Sequence, residues 1–366
     1  METKKVYTVI GLMSGTSLDG VDAALLETDG HSYIKRLDFV SIPYAPETQE
    51  TIRKCLGLRE DLDGFIARAE IEITRSHAAA IDWLLSKTGR HPQDIDLIGF
   101  HGQTIFHDPA NRFTWQIGSG PMLARLTGIA VVNDFRSADV AAGGQGAPLI
   151  PLYHKALVEA ASLTKPVAVL NIGGVGNITF IGSDDTVLAF DTGPGNALLN
   201  DWVKTHTGAE YDEDGKLARQ GRVDEVVLDK LLSHPYFTKA PPKSLDRDAW
   251  DISILQSLSA ADGAATLTAF TVKSIALARA HLPEMPLHWY VTGGGRHNLF
   301  MMDGLRGAFN VPVDSVDTLG WDGDALEAEG FGYLAVRALL KLPLSLPTTT
   351  GVPEPLTGGR FYKAGQ

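Results

Sequence analysis

Near its start the chain reads Val6-Tyr-Thr-Val-Ile-Gly-Leu-Met-Ser-Gly-Thr-Ser-Leu-Asp-Gly-Val-Asp-Ala-Ala-Leu-Leu-Glu27. Two apolar segments, Val6–Leu12 and Val21–Glu27, predict short β-strands. The small and polar residues between them, Ser14–Gly20, predict a tight turn. Glycines in such a turn allow close approach to the backbone, and successive N–H groups can bind an anion. The hairpin is therefore a candidate phosphate-binding loop, although a purely structural turn explains the same residues equally well.

A second stretch repeats this plan further along the chain. The apolar segment Val167–Ile172 precedes Gly173-Gly-Val-Gly-Asn177, and a further apolar segment, Ile178–Ile181, follows. Phosphates held by two glycine hairpins would explain both stretches at once, so the pair is stronger evidence than either member. The repeat predicts two lobes of similar construction, an N-terminal lobe of residues 1–165 and a C-terminal lobe of residues 166–366.

The rest of the chain alternates between helical periodicity and short apolar segments. This alternation predicts sheets covered by helices, which is an α/β fold class. The final stretch, Pro343–Gln366, is rich in Pro, Thr and Gly, and it is predicted to be either a loosely packed extension, which could pack on the first lobe, or disordered. The main segments are helical at Ile66–Ser86 and Ala264–Ala280, and strand-like at Ile95–Phe100, Ile129–Asn133 and Leu287–Val291.

The composition argues against some classes of partner. The 366 residues carry a formal net charge of −12, without any run of Lys and Arg. Nucleic acid and anionic membranes are therefore not expected as main partners, because both need a basic surface. No segment approaches the roughly 20 apolar residues of a membrane span, and the start lacks the apolar segment of a signal peptide. Together with a single cysteine, Cys55, these features lead us to expect a cytoplasmic protein.

A third glycine run, Gly293-Gly-Gly295, follows the apolar segment Leu287–Val291. A glycine turn between a strand and a helix allows a base or a phosphate to approach the backbone. The run does not match the dinucleotide fingerprint G-x-G-x-x-G, and the chain has no G-x-x-x-x-G-K-[ST] loop. This argues against Rossmann oxidoreductases and P-loop NTPases.

Two acidic residues are candidates for catalysis. Asp191 follows the apolar residues Leu188–Phe190 and precedes Thr-Gly-Pro-Gly195. Ligand sites of open α/β sheets gather at strand ends, so Asp191 is a candidate general base. The alternative is that Asp191 or Thr192 caps the following helix. Glu327 lies in a predicted helix, where an acid is more often a solvated surface residue.

Polar side chains at the ends of two other predicted strands suit a sugar. His101 and Thr104 come at the end of Ile95–Phe100, and Arg136 follows Ile129–Asn133. A guanidinium can bind a carboxylate through two parallel hydrogen bonds. The alternatives, a buried structural histidine and an ordinary ion pair, explain His101 and Arg136 equally well.

Together these motifs closely resemble one family, the anhydro-N-acetylmuramic acid kinases. Each motif alone is weak, but the combination is specific, and the motifs occur in the family's order. They are Gly11-Leu-Met-Ser-Gly-Thr-Ser-Leu-Asp-Gly-Val-Asp22, His101-Gly-Gln-Thr104, Asp134-Phe-Arg136, Ala141-Ala-Gly-Gly-Gln-Gly-Ala-Pro148, Asn171-Ile-Gly-Gly-Val-Gly-Asn177, Phe190-Asp-Thr-Gly-Pro194, Thr292-Gly-Gly-Gly-Arg-His297 and Asp324-Ala-Leu-Glu-Ala328.

The resemblance implies a fold and a reaction. The fold would be that of the actin/hexokinase/Hsp70-type ATPases, with two ribonuclease H-like lobes and an ATP cleft between them. The enzyme would convert 1,6-anhydro-N-acetylmuramic acid, ATP and water into N-acetylmuramic acid 6-phosphate and ADP. This reaction belongs to peptidoglycan recycling, and the resemblance also implies a homodimer.

The resemblance also implies roles for individual residues. Asp191 would activate water, Glu327 would be a second active-site acid, and His101, Thr104, Arg136 and Asp191 would contact the sugar. Magnesium ions would accompany ATP, and the residues of the first hairpin themselves indicate that Asp19 or Asp22 could hold Mg²⁺ through water, as hard cations prefer. The nucleotide-binding residues would be Gly15, Thr16, Ser17, Leu18, Asp19, Gly20, Val21 and Asp22 in the first hairpin, with Gly173, Gly174, Gly176, Asn177, Gly293, Gly294 and Gly295.

Two segments depart from the family pattern. The segment Lys243-Ser-Leu245-Asp246-Arg stands where Lys-Ser-Thr-Gly-Arg is usual, which puts a contact of that loop in doubt. The other departure affects the last predicted helix. Gly330 and Gly332 stand where alanine is commoner, and a helical glycine costs about 1 kcal/mol relative to alanine. We therefore expect this helix to be loosened.

Two other functions remain open on the sequence alone. An ordinary sugar kinase would phosphorylate a free hydroxyl without hydrolysis. A non-catalytic, sugar-responsive ATP-binding protein would bind both ligands without turnover, although the chain shows no basic patch or DNA-binding extension to support a regulator.

Overall fold

The computed structural model describes residues 5–15, 17–245 and 249–365. The chain divides into two compact units, the first made of Met1–Ser162 with Ala325–Gln366 and the second made of Leu163–Asp324. The glycine-hairpin repeat predicts residues 325–366 in the second lobe, whereas they belong to the first unit. The reason is that the last helix packs on strands of the first sheet.

The secondary structure alternates along the chain as expected for an α/β protein. The strands in the described residues are β1 (Tyr7–Ser14), β2 (Gly20–Thr28), β3 (Ile34–Pro43), β4 (Leu97–Asp108), β5 (Phe113–Ile117), β6 (Val131–Asn133), β7 (Val167–Ile172), β8 (Val175–Ile181), β9 (Val187–Pro194), β10 (His288–Thr292), β11 (Val313–Ser315) and β12 (Arg360–Tyr362). The α-helices are α1 (Pro46–Cys55), α2 (Phe65–Thr88), α3 (Gly120–Thr127), α4 (Ser137–Ala141), α5 (Pro151–Ala160), α6 (Ala197–Thr207), α7 (Glu225–Leu232), α8 (Ala260–Ala278), α9 (Leu299–Ala308) and α10 (Leu326–Leu339).

The two sheets share one strand order. In the first unit the order is β12-β6-β4-β1-β2-β3, with β5 paired to β4, and in the second it is β11-β10-β7-β8-β9. Each sheet begins with three antiparallel strands, and its fourth strand lies parallel to the first. The predicted α/β class and the predicted similarity of the two lobes are confirmed.

The helix α10 lies very close to two strands of the first sheet. A Cβ atom added to Gly11 would lie 1.8 Å from the carbonyl oxygen of Ala328, and one added to Gly99 would lie 2.1 Å from that of Phe331. On the helix itself, an added Cβ at Gly332 would lie 2.8 Å from Leu26 and one at Gly330 would lie 2.5 Å from Ile150. The two helical glycines therefore allow close packing, and the helix runs unbroken through them.

Amphipathic helices cover the core of each unit. In α2 the buried residues, which include Ile66, Ile73 and Ile81, recur at helical spacing, and the helix ends at Gly89 in the left-handed conformation. In the second unit α8 is buried on most of its surface and packs between neighbouring helices. Across the described residues, no helix combines the length and the apolar composition needed to cross a membrane.

The C-terminal segment belongs to the first unit, and its described residues are packed there rather than loosely attached or disordered. The strand β12 pairs antiparallel with β6, and Ser345 and Leu356 form an isolated bridge. Leu344, Thr350 and Val352 are buried. The composition of this segment did not predict its packing, because hydrogen bonds to distant residues, rather than periodic apolar contacts, hold it in place.

Candidate functional site

In the first unit, buried side chains fix the start of the turn between β1 and β2. The Ser14 hydroxyl donates to Gln103 Oε1 at 2.5 Å, and Gln103 Nε2 donates to the Gly15 carbonyl at 3.2 Å. Because the only Ser14 hydroxyl proton goes to Gln103, the Tyr44 hydroxyl donates to Ser14 at 2.8 Å. Burial, together with the nearby Asp22 carboxylate, raises the pKa of Tyr44, which keeps this phenol protonated.

The remainder of this turn is anchored through its main chain. The carbonyl of Leu18 accepts from Gln49 Nε2 at 3.1 Å, and the carbonyl of Asp19 accepts from the Tyr44 N–H at 3.0 Å. Gly20 has no room for a side chain, because an added Cβ would lie 2.1 Å from the carbonyl oxygen of Ile42.

The outward side of the turn faces solvent. Ser17 and Asp19 are exposed, Gly15 and Asp22 are half-buried, and Val21 is part of the core. Leu18 is also buried and has a left-handed backbone, with φ of 61°. The predicted nucleotide-binding residue Thr16 lies outside the described residues. In its described residues the turn therefore presents the Asp19 carboxylate and the Ser17 hydroxyl on a firmly held backbone, which suits a phosphate and its cation.

The predicted sugar-binding residues His101 and Arg136 contact each other. Arg136 Nε donates to His101 Nε2 at 2.9 Å, and Arg136 Nη1 donates to the Gly146 carbonyl at 2.6 Å. Since Nε2 accepts, the other ring nitrogen of His101 carries the proton and donates to the Gly102 carbonyl at 2.8 Å. Burial and the Arg136 charge lower the pKa of His101 well below its usual value, so the ring is neutral. These contacts orient the guanidinium.

Thr104 and Glu327 lie in the same unit. Thr104 is half-buried on β4 and accepts a hydrogen bond from Gln116 Nε2 at 3.3 Å. Glu327 is half-buried in the first turn of α10, where the helix dipole favours a negative charge. Glu329, two residues later, is fully enclosed and accepts a hydrogen bond from the Tyr153 hydroxyl at 2.6 Å. Glu327 is therefore the more accessible of these two acids.

In the second unit, the turn between β7 and β8 consists of only two residues, Gly173 and Gly174. The N–H of Gly195 donates to the Gly174 carbonyl at 2.9 Å, and the N–H of Asn196 donates to the Gly173 carbonyl at 2.7 Å. A Cβ added to Gly195 would lie 2.2 Å from the carbonyl oxygen of Gly173. The segment that follows β9 therefore crosses this turn at backbone contact distance.

The third glycine run, Gly293-Gly-Gly295, lies against the end of β7, next to the turn between β7 and β8. Gly293 has φ of 74°, and a Cβ added there would lie 2.3 Å from Asn171 Oδ1. A Cβ added to Gly295 would lie 2.5 Å from Ile172, while Asn196 Nδ2 donates to the Ile172 carbonyl at 3.0 Å. The structure thus brings together the two glycine loops that were predicted separately in this half of the chain.

Asp191 is buried on β9, in register with Asn177 on β8. Its Oδ2 accepts from the Leu245 N–H at 2.8 Å, and its own N–H donates to the Lys243 carbonyl at 3.0 Å. The helix α6 begins six residues later, after Asn196, without a side-chain cap. Helix capping by Asp191 or Thr192 is therefore not what the structure shows, and the carboxylate is instead held by a neighbouring loop.

The loop that contacts Asp191 also contains a buried lysine, Lys243. Lys243 Nζ donates to the Tyr236 carbonyl at 3.2 Å and lies 3.4 Å from His281 Nε2. Burial, with a smaller effect of Lys239, lowers the pKa of Lys243 to about 8, and the Asp191 charge opposes this shift. The Tyr236 hydroxyl in turn donates to the Asp191 carbonyl at 2.6 Å. Lys243 and Tyr236 thus stabilise the backbone around Asp191.

The chain matches a known family almost from end to end. The model of the family described as anhydro-N-acetylmuramic acid kinase matches residues 7–364. The chain belongs to this family. All the motifs that suggested the resemblance fall within the matched residues.

Similar proteins from two bacteria carry the same family name. An anhydro-N-acetylmuramic acid kinase of Rhizorhabdus wittichii is 52% identical over 97% of this chain and 98% of its own length. One of Rhodospirillum rubrum is 51% identical over 99% of this chain and 96% of its own length.

A solved structure supports the fold of the family member described here. It is the (R)-2-hydroxyglutaryl-CoA dehydratase component A of Acidaminococcus fermentans, which is 11% identical. The similarity covers 90% of this chain and 98% of that chain, with a TM-score of 0.50. At this identity the likeness concerns the fold alone. The two sheets of equal strand order agree with the predicted actin/hexokinase-like, ribonuclease H-like architecture.

Sequence reasoning missed the residues that hold the family's loops in place. Gln103, Tyr44, Gln116 and Tyr236 contact main-chain or side-chain atoms of the predicted residues, yet no local pattern indicates such a role. For Lys243 the signal was its place in a segment that departs from the family pattern, and its carbonyl accepts from the Asp191 N–H. A partial signal existed for Gln103, because it lies inside the His101–Thr104 motif. Among the described residues, no group of three or more His, Cys, Asp or Glu side chains could hold a metal ion.

Proposed function

We propose that this protein phosphorylates O6 of 1,6-anhydro-N-acetylmuramic acid with ATP while water opens the anhydro bridge. The observation that carries this proposal is the match to the kinase family over residues 7–364, together with a buried carboxylate, Asp191, that a separate loop holds in place. The enzyme would be a phosphotransferase with an alcohol acceptor.

The proposed reaction balances as one hydrolysis and one transfer. The water oxygen forms a bond to C1 of the sugar, and the bond from C1 to O6 breaks. The oxygen O6 then forms a bond to the γ-phosphorus of ATP as ADP leaves. The proton released from water goes first to the base and then to solvent. Attack on C1 from the side opposite O6 requires room for water beside the base, as in inverting glycosidases.

Asp191 is the proposed base. A general base must be an accessible proton acceptor held within hydrogen-bond distance of its target. The Leu245 N–H donates to Oδ2 of this carboxylate, and the backbone of Asp191 is fixed by Lys243 and Tyr236, so the acid is held in a defined position. Glu327, at the N-terminus of α10, is proposed as a second active-site acid.

The glycine loops are proposed to bind the nucleotide. Gly15 to Asp22 would bind phosphates through the turn between β1 and β2, and Gly173, Gly174, Gly176, Asn177 and Gly293 to Gly295 would bind the nucleotide in the second unit. Magnesium fits this arrangement, because in kinases it is held mainly by phosphate oxygens and water with one or two carboxylates. The exposed Asp19 would hold it through water, and bound Mg²⁺ would offset phosphate charge.

Arg136 is proposed to bind the lactyl carboxylate of the sugar, with Thr104 as a further contact. A guanidinium–carboxylate pair is strong and directional. His101 would act chiefly by orienting Arg136, since both of its ring nitrogens have protein partners. A role in cell-wall recycling, a cytoplasmic location and a homodimer are further proposals that rest on the resemblance.

Isotopically labelled water tests the reaction. The purified protein is incubated with the anhydro sugar, ATP and Mg²⁺ in water enriched in heavy oxygen, and the product is analysed by mass spectrometry. We expect one heavy oxygen at C1 and none in the phosphate. A phosphorylated product without the label would indicate an ordinary sugar kinase. Binding without turnover would indicate a non-catalytic protein.

A further inference from the structure

The packed C-terminal segment reaches the residues around Arg136. Thr350 is fully buried, and its hydroxyl donates to Asp139 Oδ2 at 2.6 Å. The carbonyl of Thr350 accepts from the Gln145 N–H, also at 2.6 Å. One residue of the tail thus contacts both the helix α4 and the loop that follows it.

Asp139 connects this contact to the loop of residues 142–148. Its carboxylate is buried and accepts from Thr350 on one oxygen and from the Gly146 N–H, at 2.7 Å, on the other. Its carbonyl accepts from the Gly144 N–H at 2.9 Å. A Cβ added to Gly144 would lie 2.2 Å from Asp139 Oδ1. The loop is therefore wrapped tightly around this carboxylate.

The same loop positions the guanidinium of Arg136. The Gly146 carbonyl accepts from Arg136 Nη1 at 2.6 Å, while the Gly146 N–H is the group that Asp139 holds. On the other side of the loop, His107 Nε2 donates to the Gln145 carbonyl at 2.9 Å. A shift of Gly146 would therefore move an acceptor that fixes Arg136.

We propose that Thr350 is a positioning residue for Arg136, acting through Asp139 and Gly146, and hence sets the affinity for the carboxylate of the sugar. The inference rests on the proposed function, in which Arg136 binds that carboxylate. Without the Thr350 hydroxyl, one oxygen of a buried carboxylate loses its donor, and such a group must shift towards another partner. The effect should fall on sugar binding and spare ATP.

The test uses Thr350→Val in the full chain, because valine keeps the shape and removes the hydroxyl. We expect the KM for the anhydro sugar to rise about five- to tenfold, as for loss of one hydrogen bond, with the KM for ATP and kcat nearly unchanged. Thr350→Ser keeps the hydroxyl and should restore the native KM. Thr349→Val is the matched control, because that buried hydroxyl bonds to Leu346 within its own turn.

A double-mutant cycle separates positioning from a general structural effect. In an Arg136→Ala background, Thr350→Val should add no further increase in the sugar KM. An equal increase in both backgrounds, an equal increase in the KM for ATP, or no increase at all would overturn the inference. If the unaltered protein shows no turnover of the anhydro sugar, the proposed function itself fails.

Direct binding gives a readout independent of turnover. Titration calorimetry with N-acetylmuramic acid, which carries the lactyl carboxylate, should show weaker binding by Thr350→Val than by the unaltered chain. N-acetylglucosamine, which lacks that carboxylate, should bind both proteins equally. A loss of affinity that is the same for both sugars would contradict a role through Arg136.

Discussion

The two units use one strand order but build their glycine turns differently. The turn between β1 and β2 spans five residues, Gly15 to Asp19, and side chains from elsewhere in the first unit hold it. The turn between β7 and β8 spans two residues, and the backbone of Gly195 and Asn196 holds it. The longer turn can present side chains to a ligand, whereas the shorter one presents mainly backbone.

The two sheets carry their carboxylates on different strands when equivalent positions are compared. The third residue of the second strand is Asp22 in the first unit, where it pairs with Ser41. In the second unit that residue is Asn177, and it pairs with Asp191. Only the second sheet therefore has a carboxylate at this place on its third strand. The shared strand order defines equivalent positions in the two sheets, but it does not determine which sheet has the functional side chain at such a position.

The largest effect is expected at the acid that distinguishes the two sheets. Asp191→Asn should lower kcat by about 100- to 10,000-fold, the usual range for loss of a general base. Binding of ATP, measured by calorimetry, should persist. Ser41→Ala, at the matching position of the first sheet, is the control and should retain most activity. Near-native turnover by Asp191→Asn would remove its role as base.

The backbone-held turn of the second unit should not tolerate a side chain at Gly195. Gly195→Ala should lower the free energy of unfolding by about 3 kcal/mol, because the added Cβ would overlap the Gly173 carbonyl. Gly174→Ala is the control, since its Cβ would meet only Ala197, at 3.6 Å. Urea denaturation measures both. Equal stability of the two variants would show that the crossing segment is not held as described.

The side-chain-held turn of the first unit should instead depend on Gln103. Gln103→Leu leaves Ser14 and the Gly15 carbonyl without this partner, and we expect a loss of about 2 kcal/mol in the free energy of unfolding. The KM for ATP should also rise, because the start of the turn is released. If stability falls while the KM for ATP stays unchanged, the turn does not bind the nucleotide.

The effect that is smallest for each pH unit concerns the buried ammonium beside Asp191. The pKa of Lys243 is lowered to about 8 in the folded protein, against about 10.4 in an unfolded chain. Between these values the unfolded state binds more protons, so stability should rise with pH, by less than about 1.4 kcal/mol per pH unit. Below about pH 8 the Lys243 amine is protonated in both the folded and the unfolded state, so the free energy of unfolding is lowered by the full cost of burying the ammonium.

Lys243→Met should remove this rise, whereas Lys230→Met, at an exposed position of α7, should leave it intact. The pH dependence of stability is obtained from the urea midpoints of both variants, measured from neutral pH to about pH 10. An unchanged pH dependence in Lys243→Met would mean that the ammonium is not buried as the structure places it.

The sequence predicts the features of the fold that have a local pattern. Both glycine hairpins, the strand before Gly293 and the helix α2 lie where periodicity and glycine turns place them. The strand β3 was not predicted, because Ile34–Pro43 carries charges and pairs along only one edge in the described sheet. The position of α10 was also missed, since its contacts with Gly11 and Gly99 join residues more than 200 positions apart in sequence.

The candidate site was predictable in its residue types and less so in its supports. Asp191, Arg136 and the glycine loops stand out by their place at strand ends. Gln103 does not, because it acts on the Gly15 carbonyl, which is distant in sequence, and the contact of the Lys243 carbonyl with the Asp191 N–H likewise joins residues far apart in the chain. The roles of such residues follow from three-dimensional neighbours, which one sequence does not reveal.

The return of α10 to the first sheet has a consequence for biosynthesis. The surfaces of Gly11 and Gly99 remain uncovered until residues 326–339 have left the ribosome, whereas the second unit, Leu163–Asp324, is by then complete. Chains are made from the N-terminus, and compact units fold as they emerge. The first unit, whose N-terminal part is synthesised first, is therefore the last to complete its folding. A chain cut short before α10 would leave apolar surface of the first sheet exposed, which favours aggregation.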